Sequence, residues 1–310
     1  MSTYHVPVML KECIDALGIK PNGIYVDVTF GGGGHTRAIL EKLDSGMLYA
    51  FDQDADAKAN AENPEIIGEQ QKRSFTFVES NFRFLKRQLR FHGVKQVDGI
   101  IADLGVSSHQ LDEGDRGFST RFDGMLDMRM DRGAEVTAKH VVNEYEQNDL
   151  IHMLSAYGEI KNARTLAAAI IRARGMKKIL RNEELKEIAL KVAPRGKEMK
   201  YLAQLFQAIR IEVNDEMGAL REFLEQTTEA IKPGGRLVVM SYHSLEDRPV
   251  KNFINSGNLK GQLEKDFYGN VIRPFEPVTR KPIVAGAEEL ERNNRARSAK
   301  LRIAERNSTE

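Results

Sequence analysis

The sequence predicts an α/β protein: a doubly wound parallel sheet that carries an inserted all-helical stretch. Three observations lead there. Four apolar strands alternate with helical spacing between Ile24 and Asp103, a run of four glycines follows the first strand, and from about Thr137 to Val192 the apolar spacing is helical without interruption.

Taken in order, His5-Val-Pro-Val-Met-Leu10 and a short helix from Glu12 to Leu17 flank the sheet, and Pro21-Asn22-Gly23 turns the chain into the first strand. Val26, Val28 and Phe30 alternate with polar neighbours, and Asp27 sets a carboxylate near the strand's end. The glycines 31–34 let the main chain turn sharply, and Thr36 to Leu43 then has helical spacing. The amide groups of that helix N-terminus would point at whatever lies over the glycines. Leu48 to Asp52 is a second strand ending in an acid, followed by a helix from Asp54 to Asn60 opened by acids, as the helix dipole favours. Phe75 to Val78 is a third strand, ending in Glu79; Arg83 to Phe91 is a basic amphipathic helix; Val97 to Asp103 is the fourth strand.

Repeated strand–helix units give parallel strands with ligands at their C-terminal ends. Those ends carry Asp27, Asp52, Glu79 and Asp103. A lone acid there is commonly a cap, but four on one edge point to a site. Phe82, just past the third strand, suits either an adenine face or the core.

The glycine pattern narrows the ligand. A dinucleotide fingerprint, G-x-G-x-x-G, needs a third glycine where Thr36 or Arg37 stands. Asp52 keeps the position from which a carboxylate takes both ribose hydroxyls. A loop without the third glycine but with the ribose acid suits S-adenosylmethionine, which has a ribose and no phosphate. It argues against a nicotinamide-dependent oxidoreductase; a plain strand–helix turn with a capping Asp remains the bland alternative.

After Asp103 the period breaks, and residues 104–131 read as a long loop kept ordered by Phe118, Phe122, Leu126 and its methionines. Helical spacing then marks Val141, Val142, Tyr145, Ile151 and Leu154, next Leu166, Ile170 and Ile171, and, after Asn182 as a cap, Leu185, Ile188, Ala189 and Val192. Residues 109–205 are expected to be an inserted helical domain that reads the substrate, within a discontinuous domain of 1–108 and 206–310. Between Lys161 and Lys200 there are 12 Lys or Arg against four Glu and no Asp, an excess of +8 in a chain of net charge +1. That concentration suits a phosphate-binding surface, with Arg172, Arg174, Lys177 and Lys178 as candidates; a solvated helix face is the alternative. Tyr201 to Ile231 is helical, with Asn214 its one notable polar residue. Arg236 to Ser241 is a fifth strand running into Tyr242-His-Ser-Leu-Glu-Asp247; Lys300 to Glu305 is expected as a last, edge strand, and Arg273 to Pro282, with three prolines, as a loop.

Composition bounds the rest. The single cysteine, Cys13, gives neither a disulfide framework nor a thiolate metal site, and the seven histidines lack H-E-x-x-H spacing, so no metal is expected. There is no secretory signal and no run long enough to span a membrane, so the expected location is cytoplasmic.

With Gly-Gly-Gly-His35, Asp103-Leu-Gly-Val-Ser-Ser108, Arg116-Gly-Phe-Ser119, Leu126-Asp-Met-Arg-Met-Asp131, Phe206-Gln-Ala-Ile-Arg210, His243-Ser-Leu-Glu-Asp-Arg248 and Arg295-Ala-Arg-Ser298, the chain closely resembles the bacterial 16S ribosomal RNA cytosine-N4 methyltransferases, from about His5 to Arg306. The resemblance implies a class I S-adenosylmethionine-dependent methyltransferase fold, Rossmann-like, with a helical insert. It implies as substrate a cytosine of the decoding centre, at the P site, within the 30S subunit or a late precursor; a homodimer is left open. The implied cofactor contacts are Gly33, Gly34, His35, Asp52, Phe82, Asp103 and Gln110. His109 and Asn294 depart from the family's prolines.

Cytosine N4 is a poor nucleophile because its lone pair is delocalised into the ring. Asp103, Ser107 and Ser108 are placed in sequence to hold such an amine, and His243 is a candidate to accept its proton. The Pro-Pro-aromatic run of DNA amino-methylases is absent at Leu104-Gly105-Val106. A non-catalytic assembly factor that merely binds S-adenosylmethionine is the alternative reading.

Overall fold

The apolar runs that alternate with helices become strands of one sheet. A computed structural model describes residues 7–308, so His5 and Val6 of the expected flank lie outside the described residues. The strands are β1 (Ile24–Asp27), β2 (Met47–Asp52), β3 (Phe75–Glu79), β4 (Val97–Asp103), β5 (Ile231–Ser241), β6 (Phe275–Pro277) and β7 (Lys300–Arg306). They form a seven-stranded sheet in the order β3-β2-β1-β4-β5-β7-β6. β1 to β5 are parallel; β7 runs antiparallel to both β5 and β6. Parallel strands need both faces covered. One face packs on Phe223, Leu220 and Leu224 of helix Glu216–Ala230 and on Leu85 and Leu89 of helix Leu85–Phe91. The other carries Cys13, Ile14 and Leu17 of helix Leu10–Leu17 and Ile39 and Leu40 of helix Gly34–Leu40.

Two strand ends shift from the sequence expectation, β1 stopping at Asp27 before Phe30 and β5 beginning at Ile231 before Arg236, and three further elements differ. β7 is not the edge, because Phe275–Pro277 pairs outside it. A strand with a proline is readable as a loop, yet at an edge the missing N–H breaks no ladder bond. The helical stretch from Tyr201 is two helices, Glu198–Asn214 and Glu216–Ala230, broken where Asp215 takes φ 45° and ψ 44°. Apolar spacing does not register one left-handed residue, a conformation Asp tolerates. Asn182 is the first residue of helix Asn182–Leu190 and not its cap.

The chain divides into two compact units: the residues up to Gly105 with those from Met217 onward, and Val106–Glu216. A division at 205/206 would cut helix Glu198–Asn214, whose buried Leu202, Leu205, Phe206, Ile209 and Val213 all belong to one core. In that core they meet Val141, Val142, Leu150, Leu154, Leu166, Ile170 and Leu185, together with Phe118, Leu126, Met128 and Met130 of the long loop. The loop is ordered by polar side chains as well. Asn182, fully buried, donates from Nδ2 to the carbonyls of Gly117 (3.3 Å), Ser119 (3.1 Å) and Phe122 (3.4 Å).

Asn182→Ala strands these buried carbonyls, a cost of about 1–3 kcal/mol for a lost partner of this kind. Chemical unfolding should show that loss, and hydrogen exchange should become faster in 117–124. A variant as stable as the parent would remove Asn182 as the clamp.

Candidate functional site

At the C-terminal edge of the sheet, Asp27 ends β1 and is buried to 1% exposure. Its Oδ1 accepts from the backbone N–H of Thr29 at 3.0 Å, the two-residue reach by which Asp shapes a turn, and its Oδ2 accepts from the Thr36 hydroxyl at 2.8 Å. Thr29 Oγ1 in turn accepts from the Asp103 N–H at 2.7 Å, which ties the end of β4 to the loop. From β2, Asp52 accepts from Gly31 N–H on Oδ2 at 2.8 Å and from Asp54 N–H on Oδ1 at 2.9 Å. Asn60 Nδ2 donates to the Gly31 carbonyl at 2.9 Å. Acids at the ends of two strands therefore hold the glycine turn between them.

The glycines divide their work. At Gly33, with φ 76°, a Cβ would stand 2.6 Å from Ile66 Cγ2, so the position is closed to any larger residue. Gly34 is closed likewise by Pro7. At Gly32 no described atom lies within 4 Å of a Cβ position, so the space on that side of its Cα is clear. His35 is buried, and its Nε2 has no hydrogen-bond partner among the described residues; burial pushes its pKa down to about 4, so the ring is neutral. Clear space over the Gly32 Cα, an orphaned imidazole nitrogen, and the Asp52 carboxylate, which takes one backbone N–H on each oxygen, fit an adenosyl group with its ribose.

Asp103 ends β4 with about a quarter of its side chain accessible (24%). The Tyr242 hydroxyl donates to its Oδ1 at 2.7 Å, and Oδ2 lies 3.9 Å from His35 Nδ1. Desolvation raises the Asp103 pKa to about 7, opposed by the Tyr242 hydrogen bond and reinforced by the charges of Asp27 and Glu246. Desolvation likewise raises Asp27 and Asp52 to about 6 each. Burial first, and then the Asp103 charge, hold the Tyr242 phenol far above its ordinary pKa, so it stays protonated and keeps its O–H to donate. His243 Nε2 lies 3.1 Å from Glu246 Oε1, but neither ring nitrogen makes a well-directed hydrogen bond. Glu246 Oε2 accepts from the Tyr242 N–H at 2.8 Å.

The sheet unit thus brings together Gly33, Gly34, His35, Asp52, Asp103 and His243. Phe82 is half-buried and packs edge-on against Phe223, with ring centroids 5.4 Å apart. Glu79 is exposed, with Lys58 Nζ 3.6 Å away. Sequence reading missed Thr29, Thr36 and Tyr242 as parts of this site. The Asp27-x-Thr29 spacing was a usable signal for the first; nothing links Tyr242 to Asp103, 139 residues before it.

The remaining residues singled out belong to the helical unit. Ser107 Oγ accepts from Gln110 N–H at 3.1 Å and Gln110 Oε1 accepts from Ser107 N–H at 3.1 Å, a reciprocal cap on helix Ser108–Asp112. Asn214 is spent on the long loop: Oδ1 accepts from Met130 N–H at 2.7 Å, and Nδ2 donates to the carbonyls of Met128 (2.7 Å) and Arg210 (2.8 Å). Arg174 donates to the Val142 carbonyl at 3.0 Å, and Lys177 pairs with Glu184 at 2.6 Å. Arg172 and Lys178 are exposed.

The sheet order, with five parallel strands and an antiparallel strand inserted beside the fifth, defines the class I, Rossmann-like methyltransferase fold. The MraW methylase family matches residues 2–307, and the chain belongs to that family. It is 57% identical to the ribosomal RNA small subunit methyltransferase H of Flavobacterium johnsoniae, over 98% of each chain. To the proteins of that name from Cytophaga hutchinsonii and Phocaeicola vulgatus it is 56% and 55% identical, over 98% of this chain and 99% and 97% of theirs.

The raised carboxyls set a pH dependence. The folded chain keeps these protons to about pH 6–7, whereas ordinary aspartates lose them near pH 4. The stability they supply is present below about pH 4 and is lost as pH rises through about 7. Asp98, Asp127 and Asp247, held low against burial by the Ile24 N–H with Lys232, by Arg129 and by Arg302, change outside that window, and His35, pushed down to about 4, opposes the three acids only below its ordinary pKa of about 6.5. Melting midpoints without cofactor should therefore fall from about pH 5 to about pH 8, and Asp103→Asn should flatten the fall. A parent curve rising over that range would contradict the burial of these acids.

Proposed function

We propose that this protein methylates the N4 amine of a cytosine at the P site in the decoding centre of 16S ribosomal RNA. The observation that carries the reading is the likeness to small-subunit rRNA methyltransferases over 98% of the chain. S-adenosylmethionine supplies an electrophilic methyl group carried on a sulfonium. The residues that would hold it are the glycine turn with Gly33 and Gly34, His35, Asp52 at the ribose, and Asp103.

The chain's own part is to make the amine nucleophilic and take its proton. Tyr242 fixes the Asp103 carboxylate through Oδ1, which leaves Oδ2 as an acceptor. A carboxyl with a pKa of about 7 exchanges a proton near neutral pH, the condition for an effective general base. His243, beside Glu246, is the second candidate for that proton. The exposed Arg172 and Lys178 head the basic face assigned to rRNA phosphates. No helix among the described residues is long and apolar enough to cross a membrane, and the reading places the protein in the cytoplasm, acting on the 30S subunit or a late precursor. Mass mapping of rRNA nucleosides from cells with and without the protein tests the reaction; an unchanged map leaves the non-catalytic assembly role.

Single-turnover methylation at saturating cofactor separates roles within the site. Asp103→Asn keeps the size and loses the charge, and the rate should fall on the order of 10²- to 10³-fold. Asp52→Ala should instead weaken cofactor binding, by about 1.5–3 kcal/mol per charge-assisted hydrogen bond lost, with the rate recovered at saturation. Run beside His243→Ala, full recovery by Asp103→Asn would assign that acid to cofactor binding alone.

For the basic face, Arg172, Arg174, Lys177 and Lys178 changed together to Ala should weaken RNA binding and flatten its salt dependence, because each phosphate contact contributes to the slope. Arg172 and Lys178 should account for most of it, and cofactor affinity should stay constant. An unchanged slope would make this a solvated surface only.

A further inference from the structure

Between helix Ser244–Ser256 and β6 the chain runs out through residues 261–270, all exposed. The segment is ordered. Lys265 and Val271 form an antiparallel bridge, Ile272 N–H donates to Glu264 O at 2.8 Å, and Asp266 N–H donates to Asn270 O at 2.9 Å. The Asp266 carboxylate accepts from Tyr268 N–H, Asn270 N–H and Asn270 Nδ2, each at 2.9 Å, and Gly269 closes the turn with φ 88°. At the tip stand Phe267, 97% exposed, and Tyr268, 86% exposed, edge to face with centroids 5.6 Å apart.

Two aromatic rings held bare to water on a pre-formed turn ask for a flat, apolar partner, and the ordering cost of such a contact is met in folding. Lys260, Gln262 and Lys265, all exposed, lie in the same segment with one exposed acid, Glu264, while Asp266, beside Phe267, has its carboxylate turned into the backbone amides of the turn. Flat stacking faces with cations beside them match the chemistry of single-stranded nucleic acid, where each base offers a π-face and each nucleotide a phosphate. We propose that hairpin 265–271 stacks Phe267 and Tyr268 on unpaired bases of ribosomal RNA, a contact separate from the acidic edge of the sheet. The proposal rests on the rRNA substrate named above and adds where that RNA is gripped.

The chain contains no tryptophan, so Phe267→Trp installs a single reporter. Titration with deproteinised 16S rRNA and with a single-stranded oligoribonucleotide should quench its emission. The paired change Phe267→Ala with Tyr268→Ala should raise the RNA concentration for half-maximal methylation about tenfold. The rate at saturating RNA and the cofactor affinity should stay at the parent value. Stacking is not a counterion effect, so this variant should keep the parent salt slope, whereas Lys260→Ala with Lys265→Ala should lower it by about one to two. Emission unmoved by RNA together with an unchanged half-maximal concentration would overturn the proposal. So would a blue shift seen only with anionic phospholipid vesicles, which assigns the tip to a membrane surface, or only with intact 30S subunits, which assigns it to a protein pocket. If the parent methylates no RNA, the substrate reading fails, while the tryptophan titration, needing no turnover, still decides whether the hairpin takes RNA.

Discussion

A carboxylate buried at the end of β1 has to be satisfied by hydrogen bonds, and the way Asp27 meets that demand organises the sheet edge. Its bonds to Thr29 and Thr36 fold the glycine turn back on the strand and hold the start of helix Gly34–Leu40. Through Thr29 the same network reaches the Asp103 backbone, and Asp52 grips the turn from the other side at Gly31. Glycines allow this turn; the acids and hydroxyls around them select one shape from the many that glycines permit.

Burial that fixes the loop also sets its electrostatics. Three carboxyls on one edge, each raised by desolvation, sit where a positively charged ligand would relieve their mutual repulsion. Tyr242 is the counterweight, a donor that cannot ionise at any working pH and that fixes the outermost acid. Its own strand end is held from behind: Asp247 accepts from Arg302 Nε at 2.7 Å and from Lys300 Nζ at 3.2 Å, fastening helix Ser244–Ser256 to β7. The antiparallel last strands thus serve the site they do not touch.

In the helical unit the polar residues have a different task. A long segment with little regular structure must find partners for its carbonyls. Arg116, buried and over the Phe118 ring at 5.6 Å, donates to Arg129 O and Met130 O, while Asn182 and Asn214 take four more of the segment's carbonyls between them. Arg-Gly-Phe-Ser119 and Asp-Met-Arg-Met-Asp131 are therefore at least partly motifs of loop construction. Buried amides of this kind are easily mistaken for ligand-binding groups when only their sequence is known.

The sequence by itself determined the parallel sheet, the second to fourth strands to within a residue, the first apart from its overrun to Phe30, the acid at or near the end of each, the glycine turn and the helical insert. All of these are written in local periodicity, or in one residue type at one chain position. Only tertiary structure decided the rest. What holds the Asp103 carboxylate is Tyr242, which arrives from the end of β5 through a pairing no local pattern encodes. Whether Ser107, Gln110, Asn182 and Asn214 have side-chain atoms to spare depends on which carbonyls and amides the fold leaves needing partners. Asp215 shows the same limit from the backbone side: one left-handed residue moved the end of the inserted unit past the whole of helix Glu198–Asn214, with no change in apolar spacing to announce it.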